Sequence, residues 1–275
     1  KSLDPKLKDN LRLNRNKQNN QIGYSAYFIE GVAFLMIHQQ TKKLGFGAMR
    51  LPVLEDGQTI DQIQVNQMVD HCMKEGFTYF DTAYPYHGGK SEGALRIGLV
   101  DRYPRDSFLL ADKMPMYLVK KEEDYPRFFA EQLERCGVTY FDFYLLHNLG
   151  VENYRKAQKT RGFEYIAQLK KSGKARYVGF SFHDTAEVLE QILEQHPEVD
   201  FVQLQINYAD WERPSVQSRA CYEVARKHKK PIIVMEPIKG GGLASPGEAI
   251  TTLFQTYRPD ASVASWAVRF AASLE

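Results

Sequence analysis

The sequence predicts an α/β fold, a (β/α)8 TIM barrel that lacks its last β/α unit. From about residue 43, short runs rich in Val, Ile, Phe and Tyr alternate with longer amphipathic stretches. Repeated units of this kind predict parallel strands joined by right-handed crossovers. An open Rossmann sheet is disfavoured, because the first strand runs into LGFGAMRLP and not into a GxGxxG motif.

Each unit of the predicted barrel is placed by its residue pattern. The strands are predicted over seven short apolar runs: Leu44–Ala48, Thr78–Asp81, Phe108–Asp112, Phe141–Leu146, Ala175–Phe180, Phe201–Ile206 and Ile232–Glu236. The helices are predicted over the amphipathic stretches that follow: Ile60–Glu75, Ser91–Leu99, Glu122–Cys136, Tyr154–Lys171, Thr185–Gln195, Ser215–Lys229 and Pro259–Ser273. Gly76, Gly137 and Gly173 follow three of these helices, where a left-handed residue is favoured.

A closed eight-stranded barrel needs one more strand and helix than these patterns supply. The sequence ends at AASLE, directly after a predicted helix. Three explanations stay open: a shortened chain, a disordered last unit, or an apolar segment near the N-terminus that takes its place.

Residues 1–40 are predicted to be an extension, disordered or peripheral, ahead of a barrel domain over 41–275. The first part is polar and basic, which favours disorder. The apolar segment Ser25–Ile37 is interrupted by Glu30 and is too short to span a bilayer. A signal peptide is disfavoured because no small-residue cleavage site follows, so a leader or an extension packed on the outside is expected.

Composition limits the class of protein. The chain has 275 residues, 43% hydrophobic and 25% charged, which is typical of a globular domain. The net charge is only +2, and a basic N-terminus accounts for it, so nucleic acid is not an expected partner. Three separated cysteines without a CxxC motif favour reduced thiols in a cytoplasmic protein and predict no zinc site.

Four polar residues stand at or just beyond the ends of predicted strands. They are Asp81 and Tyr86 in FDTAYPY, Lys113 in FLLADKMP and His147 in FYLLHN. The C-terminal ends of barrel strands converge on one face, where active sites are built. A tyrosine, a lysine, a carboxylate and a histidine gathered there form a proton-donating site for a carbonyl group.

Each of the four has an ordinary explanation when taken alone. Tyr86 fits surface packing, Asp81 a helix cap or turn, Lys113 a solvated strand end, and His147 a satisfied core histidine. Their occurrence after successive strand-like runs, in this order, favours a catalytic tetrad.

The motifs resemble those of the aldo-keto reductases. FDTAYPYHGGKSE, LLADKMP and YLLHN occur in the family's order, and LGFGAMRLP, VGFSFH, VQLQINY and IVMEPIKGGGLA fall where the family has counterparts, over residues 43–275. The resemblance implies a (β/α)8 barrel that reduces aldehydes and ketones with NADPH or, less often, NADH. It implies Tyr86 as the general acid, with Lys113, Asp81 and His147 around it.

The chemistry of these residue types agrees with those roles. A hydride that reaches a carbonyl carbon makes an alkoxide, which needs a proton. Tyrosine has an ordinary pKa near ~10, and an adjacent ammonium such as Lys113 lowers it. Asp81 keeps the lysine charged and in place, and His147 donates a hydrogen bond to the substrate oxygen.

The resemblance also implies a set of cofactor-binding residues. Ser181 and Gln203 match positions that hold the nicotinamide carboxamide, and Met235 stands where much of the family has a stacking tyrosine. Phe182 stands where the family often has Asn. The departures at Met235 and Phe182 occur together in a bacterial-type branch of the family that often carries a C-terminal iron–sulfur segment. This sequence has no such cysteine cluster.

Two loops complete the predicted cofactor site. Consecutive glycines after strand seven let backbone N–H groups approach a pyrophosphate, although a flexible loop explains them equally well when they are taken alone. The residues assigned to this site in the two loops are Gly47, Ala48, Met49 and Arg50 after strand one, and Pro237, Ile238, Lys239 and Gly240 after strand seven.

The sequence thus predicts an NAD(P)H-dependent oxidoreductase acting on small-molecule carbonyl substrates, with no metal and no membrane partner. NADPH is expected over NADH only from the family resemblance, since the family's usual 2′-phosphate site follows an eighth strand that these patterns do not supply. Two alternatives stay open. One is a cofactor-binding or regulatory protein on the same barrel with weak or no turnover. The other is a metal-dependent hydrolase, which would need several His or Asp ligands at strand ends, where only His147 stands out.

Overall fold

Eight strands form the closed wall of a barrel in the computed structural model, which describes residues 26–30 and 42–274. The strands are β1 (Ala26–Glu30), β2 (Leu44–Gly47), β3 (Tyr79–Asp81), β4 (Leu109–Met114), β5 (Phe141–Leu149), β6 (Ala175–Phe182), β7 (Phe201–Gln205) and β8 (Ile232–Met235). The seven strands β2 to β8 pair in parallel, each with the next. The parallel barrel wall predicted from alternating strand and helix patterns is therefore confirmed.

The helices of the described residues cover the outside of this wall. They are α1 (Gln62–Lys74), α2 (Ser91–Leu95), α3 (Asp124–Cys136), α4 (Val151–Lys159), α5 (Gly162–Lys171), α6 (Ala186–Gln195), α7 (Ser218–Lys227), α8 (Glu248–Tyr257) and α9 (Val263–Ala272). Within the described ranges, no helix is both long enough and apolar enough to cross a bilayer.

Strand β1 stands between the first and last parallel strands and runs antiparallel to both. Its register pairs Phe28 with Leu44 of β2 and with Val234 of β8. Part of the apolar N-terminal segment thus closes the gap that the seven parallel strands leave. The described part of the predicted extension over residues 1–40 therefore lies in the barrel wall, and the rest falls outside the described residues.

Two helix predictions need correction. Tyr154–Lys171 is not one helix, because Arg161 adopts a left-handed conformation with a φ of 59° and separates α4 from α5. The break lies where Tyr125 approaches the backbone: its hydroxyl is 2.7 Å from Thr160 Oγ1, and a Cβ at Gly162 would lie 2.5 Å from the same hydroxyl. The predicted helix Ser91–Leu99 is α-helical only to Leu95 and continues as a π-turn.

Helix α8 was not predicted from the sequence. It contains no buried residue, and Ile250, Leu253 and Tyr257, which recur at helical spacing, are exposed. The left-handed conformations expected after helix ends are present at Gly76, Gly137 and Gly173, with φ values between 69° and 76°.

Strand alternation divides the barrel interior into an apolar lower layer and a polar upper layer. Met235 ends β8, pairs with Gln205 and packs against the lower layer, which consists of Tyr79, Leu109, Ala111, Phe143, Leu145, Phe201 and Ile233, all buried. Two residues further along their strands come Asp81, Lys113, His147 and Gln203, on the same inward face because side chains repeat every second residue. The polar layer lies at the C-terminal ends of the strands, where barrel enzymes build their sites.

Candidate active site

A buried ion pair between Lys113 and Asp81 lies at the centre of the polar layer. Lys113 Nζ donates to Asp81 Oδ1, and both side chains are at most 1% exposed. Lys113 Nζ also donates to the carbonyl oxygen of Thr82 at 2.7 Å. The other carboxylate oxygen of Asp81 accepts from Gln203 Nε2 at 3.0 Å and from the Tyr79 hydroxyl at 3.4 Å. Asp81 therefore has donors on both oxygens, as a buried carboxylate requires.

Tyr86 lies beside this ion pair, on the turn that follows β3. Lys113 Nζ is 3.5 Å from the Tyr86 hydroxyl and 5.0 Å from the centre of its ring. The turn is a 3-10 helix over Tyr86–Gly89 in which His87 and Gly88 have left-handed conformations. His87 Nε2 accepts a hydrogen bond from the backbone N–H of Leu51 at 2.8 Å, which ties this turn to the loop after β2.

His147 completes the group from strand β5. Its ring meets the Tyr86 ring edge-on, with centroids 5.9 Å apart. The register between β5 and β6 shifts directly after this residue, where Asn148 is left-handed with a φ of 58°. Such irregularities re-aim a side chain at the end of a strand. The four tetrad residues predicted from the sequence are thus brought together at one rim of the barrel.

Electrostatics fix the charge states of the lysine and the histidine. Burial by itself would lower the pKa of Lys113, but the charges of Asp81 and Tyr86 outweigh it, so the pKa is raised and the ammonium is retained. The pKa of His147 is held well below its usual range by burial, with repulsion from Lys113 and His183 added. A neutral imidazole beside a charged ammonium can donate a hydrogen bond without carrying a charge of its own.

The residues predicted to hold a nicotinamide lie on the neighbouring strands. Ser181 of β6 and Gln203 of β7 are direct partners in the sheet. Ser181 Oγ accepts from the backbone N–H of Asn148 at 2.8 Å, and its own hydroxyl proton can serve another acceptor. Gln203 Oε1 is buried and has no donor among the described residues. A carboxamide needs an acceptor for its NH2 group and a donor for its oxygen. Gln203 Oε1 offers the acceptor and the Ser181 hydroxyl offers the donor.

The two loops predicted to bind the cofactor meet above β2 and β8. Arg50 NH1 lies 2.6 Å from Glu236 Oε1, and a Cβ at Gly240 would lie 2.9 Å from Arg50 NH2. Gly47 pairs with Asp81 in the sheet, and half-exposed Met49 flanks the mouth of the barrel.

The loop after β8 has an unusual backbone. Glu236 and Lys239 have φ values of 57° and 50°, followed by left-handed Gly240 and Gly241. Non-glycine residues in this conformation cost free energy, and such strain collects at functional sites. Consecutive backbone N–H groups of this kind form anion-binding concavities.

Three of the predicted cofactor residues do not present their side chains to the barrel mouth. Ala48, Pro237 and Ile238 are buried in the scaffold, so a ligand would meet their backbone. Lys239 Nζ forms an ion pair with the buried carboxylate of Asp210, so the Lys239 charge is already balanced within the protein. Asp210 and its partner Asn207 were given no role from the sequence, although Asn207 lies within the segment VQLQINY.

A hollow opens at the C-terminal ends of β6 and β7. Its wall includes Phe182, His183 and Gln205, and His183 and Asp184 continue it toward Asn148 and Gly150. Burial lowers the pKa of His183, and Lys113 adds to this while Glu236 opposes it.

Comparison with known proteins agrees with the fold and the motifs. Residues 43–272 match the model of the Aldo/keto reductase family. Similar solved structures include aldo-keto reductase AKR11C1 from Bacillus halodurans in its holo form, with a TM-score of 0.62 and 19% identity over 82% of this chain and 76% of that chain. An aldo-keto reductase from Klebsiella pneumoniae in complex with NADPH has a TM-score of 0.59 and 22% identity, over 80% of this chain and 73% of that chain.

A third similar structure is a thermostable aldo-keto reductase, Tm1743, in complex with the inhibitor epalrestat. Its TM-score is 0.61 at 20% identity, over 80% of this chain and 77% of that chain. At these identities the structural likeness shows the barrel fold, and the family model, which spans most of the sequence, shows the family. The chain belongs to the aldo/keto reductase family.

Proposed function

We propose that this protein is an NADPH-dependent carbonyl reductase that converts small aldehydes or ketones to alcohols, with Tyr86 as the general acid. The single observation that carries the proposal is the position of Lys113 Nζ, which contacts both Asp81 Oδ1 and the Tyr86 hydroxyl. This arrangement places a fixed positive charge beside a phenol at the mouth of a barrel, as a proton donor to an alkoxide requires.

NADPH is proposed as the cofactor because the described residues fit a nicotinamide. The unpaired Gln203 Oε1 would accept from the carboxamide amine, and the Ser181 hydroxyl would donate to its oxygen. The Klebsiella pneumoniae relative was solved with NADPH, which supports the same choice here. NADH is the second candidate. When bound, a reduced nicotinamide supplies a hydride to the carbonyl carbon.

The chain's own residues would then handle the oxygen of the substrate. The Tyr86 hydroxyl donates its proton to that oxygen, and the Lys113 ammonium stabilises the phenolate that is left. Asp81 holds Lys113 in place. Neutral His147 donates a second hydrogen bond to the same oxygen and so orients the carbonyl.

The proposal is tested by following cofactor oxidation and alcohol formation with a reactive aldehyde. Equal amounts of NADPH consumed and alcohol produced are expected, with NADH tested in parallel. Binding of either cofactor, measured by its fluorescence, without any consumption would instead support the regulatory alternative. Hydrolysis of a test ester that stops on chelation, without consumption of NADPH, would support the metal-dependent hydrolase.

A further inference from the structure

A second buried polar cluster lies directly behind the candidate active site. Along β4 the side chains alternate, so Lys113 points into the barrel and Asp112 points outward to the helices. There Asp112 meets Glu92 of α2 and Cys136 of α3, and one ligand atom from each lies within 4.8 Å of the others. All three side chains are fully buried.

The hydrogen bonds of this cluster leave one oxygen without a donor. Asp112 Oδ1 accepts from the backbone N–H of Lys113 at 2.8 Å, and Asp112 Oδ2 accepts from Cys136 Sγ at 3.7 Å. Glu92 Oε2 accepts from Arg135 NH1 at 3.0 Å. Glu92 Oε1 is buried and has no donor within the described part of the chain. Burial of a carboxylate oxygen without a donor costs free energy, and this cost falls when one of the two carboxyl groups, Glu92 or Asp112, carries a proton.

Charge balance leads to the same conclusion. Lys113 is paired with Asp81, and Arg135 is paired with Glu92 and, at 3.7 Å, with half-buried Glu131. Among the described residues no salt bridge involves Asp112, and the nearby Lys113 charge is already paired with Asp81. Two buried carboxylates this close to each other do not both ionise readily, because each negative charge raises the pKa of the other.

The other titratable groups that face the pair do not supply a balancing positive charge. They are the Cys136 thiol, the Tyr144 phenol on β5 and the Tyr84 phenol beside Arg135. Burial and the adjacent Glu92 raise the pKa of Asp112 well above its usual range. The pKa of Glu92 is also raised, because burial outweighs the favourable contacts with Arg135, Asp112 and Gln132.

We propose that Glu92 and Asp112 share one proton, and that Asp112, kept neutral in this way, is a positioning residue for Lys113. The shared proton is argued from the buried cluster and does not depend on the proposed function. The positioning role of Asp112 rests on the proposed function. A neutral Asp112 can accept the hydrogen bond from the Lys113 peptide N–H without placing a second negative charge, besides that of Asp81, near the lysine side chain. The ammonium charge then remains available to Tyr86.

Gln132 on α3 completes the support of this strand end. Its Nε2 donates to the carbonyl oxygen of Lys113 at 3.0 Å, and its Oε1 accepts from the Tyr144 hydroxyl at 2.5 Å. The peptide N–H and C=O of Lys113 are thus both held by buried side chains from behind the site. Second-layer contacts of this kind set how accurately a catalytic group is placed.

The same three side chains could in principle hold a metal ion, and two observations favour the proton. Arg135 already neutralises Glu92, and a cation there opposes metal binding. The pKa of the Cys136 thiol is raised well above its usual range by burial and by Asp112, which disfavours the thiolate that a metal needs.

Infrared spectroscopy tests the shared proton directly. A carbonyl stretch of a protonated carboxyl group is expected at neutral pH in the native protein. It should shift when the protein is made with isotope-labelled aspartate and vanish in Asp112→Asn. Absence of any isotope-sensitive band of this kind in the native protein would overturn the proposal, as would stoichiometric metal in the protein as isolated. The labelled native protein gives this answer even where the variant fails to fold.

Kinetics test the positioning role. Asp112→Ala should lower kcat by about tenfold or more while KM for NADPH stays within about twofold, because a misplaced Lys113 affects the transition state. Asp112→Asn should restore most of kcat, since an amide both accepts from Lys113 and donates to Glu92. An unchanged kcat in Asp112→Ala, or equal losses in both folded variants, would overturn the role. If the native protein has no activity, the proposed function fails, and the infrared result still decides the shared proton.

Discussion

Lys113 and Asp81 form a fully buried ion pair across two adjacent strands of the barrel, β4 and β3. A buried charge pair is weak support for stability by itself, because desolvation costs as much as the attraction returns. Here the same ammonium also contacts Thr82 and Tyr86, so the pair directs a charge toward a phenol. The position of the Lys113–Asp81 pair therefore fits the proposed proton donation by Tyr86 better than a role in stability.

Removing one member of this pair should separate its structural and chemical effects. Lys113→Met leaves the Asp81 charge buried and uncompensated, and we expect a loss of about 3–5 kcal/mol of unfolding free energy. The double variant Asp81→Asn/Lys113→Met removes both charges and should recover most of that loss but none of the activity. Chemical denaturation of the native protein, Asp81→Asn, Lys113→Met and the double variant measures this coupling. Additive losses in the double variant would contradict a direct ion pair.

His147 should make stability depend on pH on the acid side. Its folded-state pKa lies well below the ordinary value of 6.5, so the unfolded chain takes up the proton first. The contribution is therefore present above the unfolded pKa and is lost as the pH falls through 6.5 toward the folded value. In His147→Gln this loss should be absent. His71→Gln, an exposed histidine on α1, is the matched control, and an identical acid slope in all three proteins would count against the burial of this imidazole.

Gln203 should contribute to cofactor affinity through its unpaired oxygen. Gln203→Leu removes that acceptor together with the Nε2 donor to Asp81, and it is expected to weaken NADPH binding by at least about tenfold, since one lost hydrogen bond alone corresponds to roughly 1.4 kcal/mol. Fluorescence titration of the cofactor measures it, with Gln168→Leu on the outer surface of α5 as control. Equal affinities in native protein and Gln203→Leu would remove this residue from the cofactor site.

Gly179 should be required for packing at the centre of the barrel. A Cβ at this position would collide with the carbonyl oxygen of Phe201 and lie 3.1 Å from its ring. Gly179→Ala is expected to cost about 1–3 kcal/mol, as overpacked cores do. Gly93→Ala, a helical position with nothing within 4 Å, is the control and should be neutral or stabilising. A thermal shift that ranks the two variants the other way would contradict the packing.

Much of this fold follows from local patterns in the sequence. The seven parallel strands were predicted within three residues at each end, because buried parallel strands are continuous apolar runs bounded by turns. The gathering of Asp81, Lys113 and His147 at one rim follows from the same patterns, since each lies near the C-terminal end of its strand.

Other features depend on contacts between distant residues and could not be read in this way. The antiparallel closure by β1 depends on unpaired edges that exist only once β2 and β8 are in place. The break at Arg161 depends on Tyr125, which lies in another helix. The bond from Gln132 to the backbone of Lys113 spans 19 residues and has no sequence signature.

The central claim is that Tyr86 delivers the proton to a carbonyl substrate beside a bound nicotinamide. The most direct test is the rate of NADPH oxidation with a reactive aldehyde in native protein, Tyr86→Phe and Tyr84→Phe. Tyr84 bonds to Glu131 and Arg135, outside the tetrad, and serves as the matched control. We expect Tyr86→Phe to lose about 10²–10⁴-fold in kcat while Tyr84→Phe keeps its activity. Equal rates in Tyr86→Phe and native protein would contradict the account.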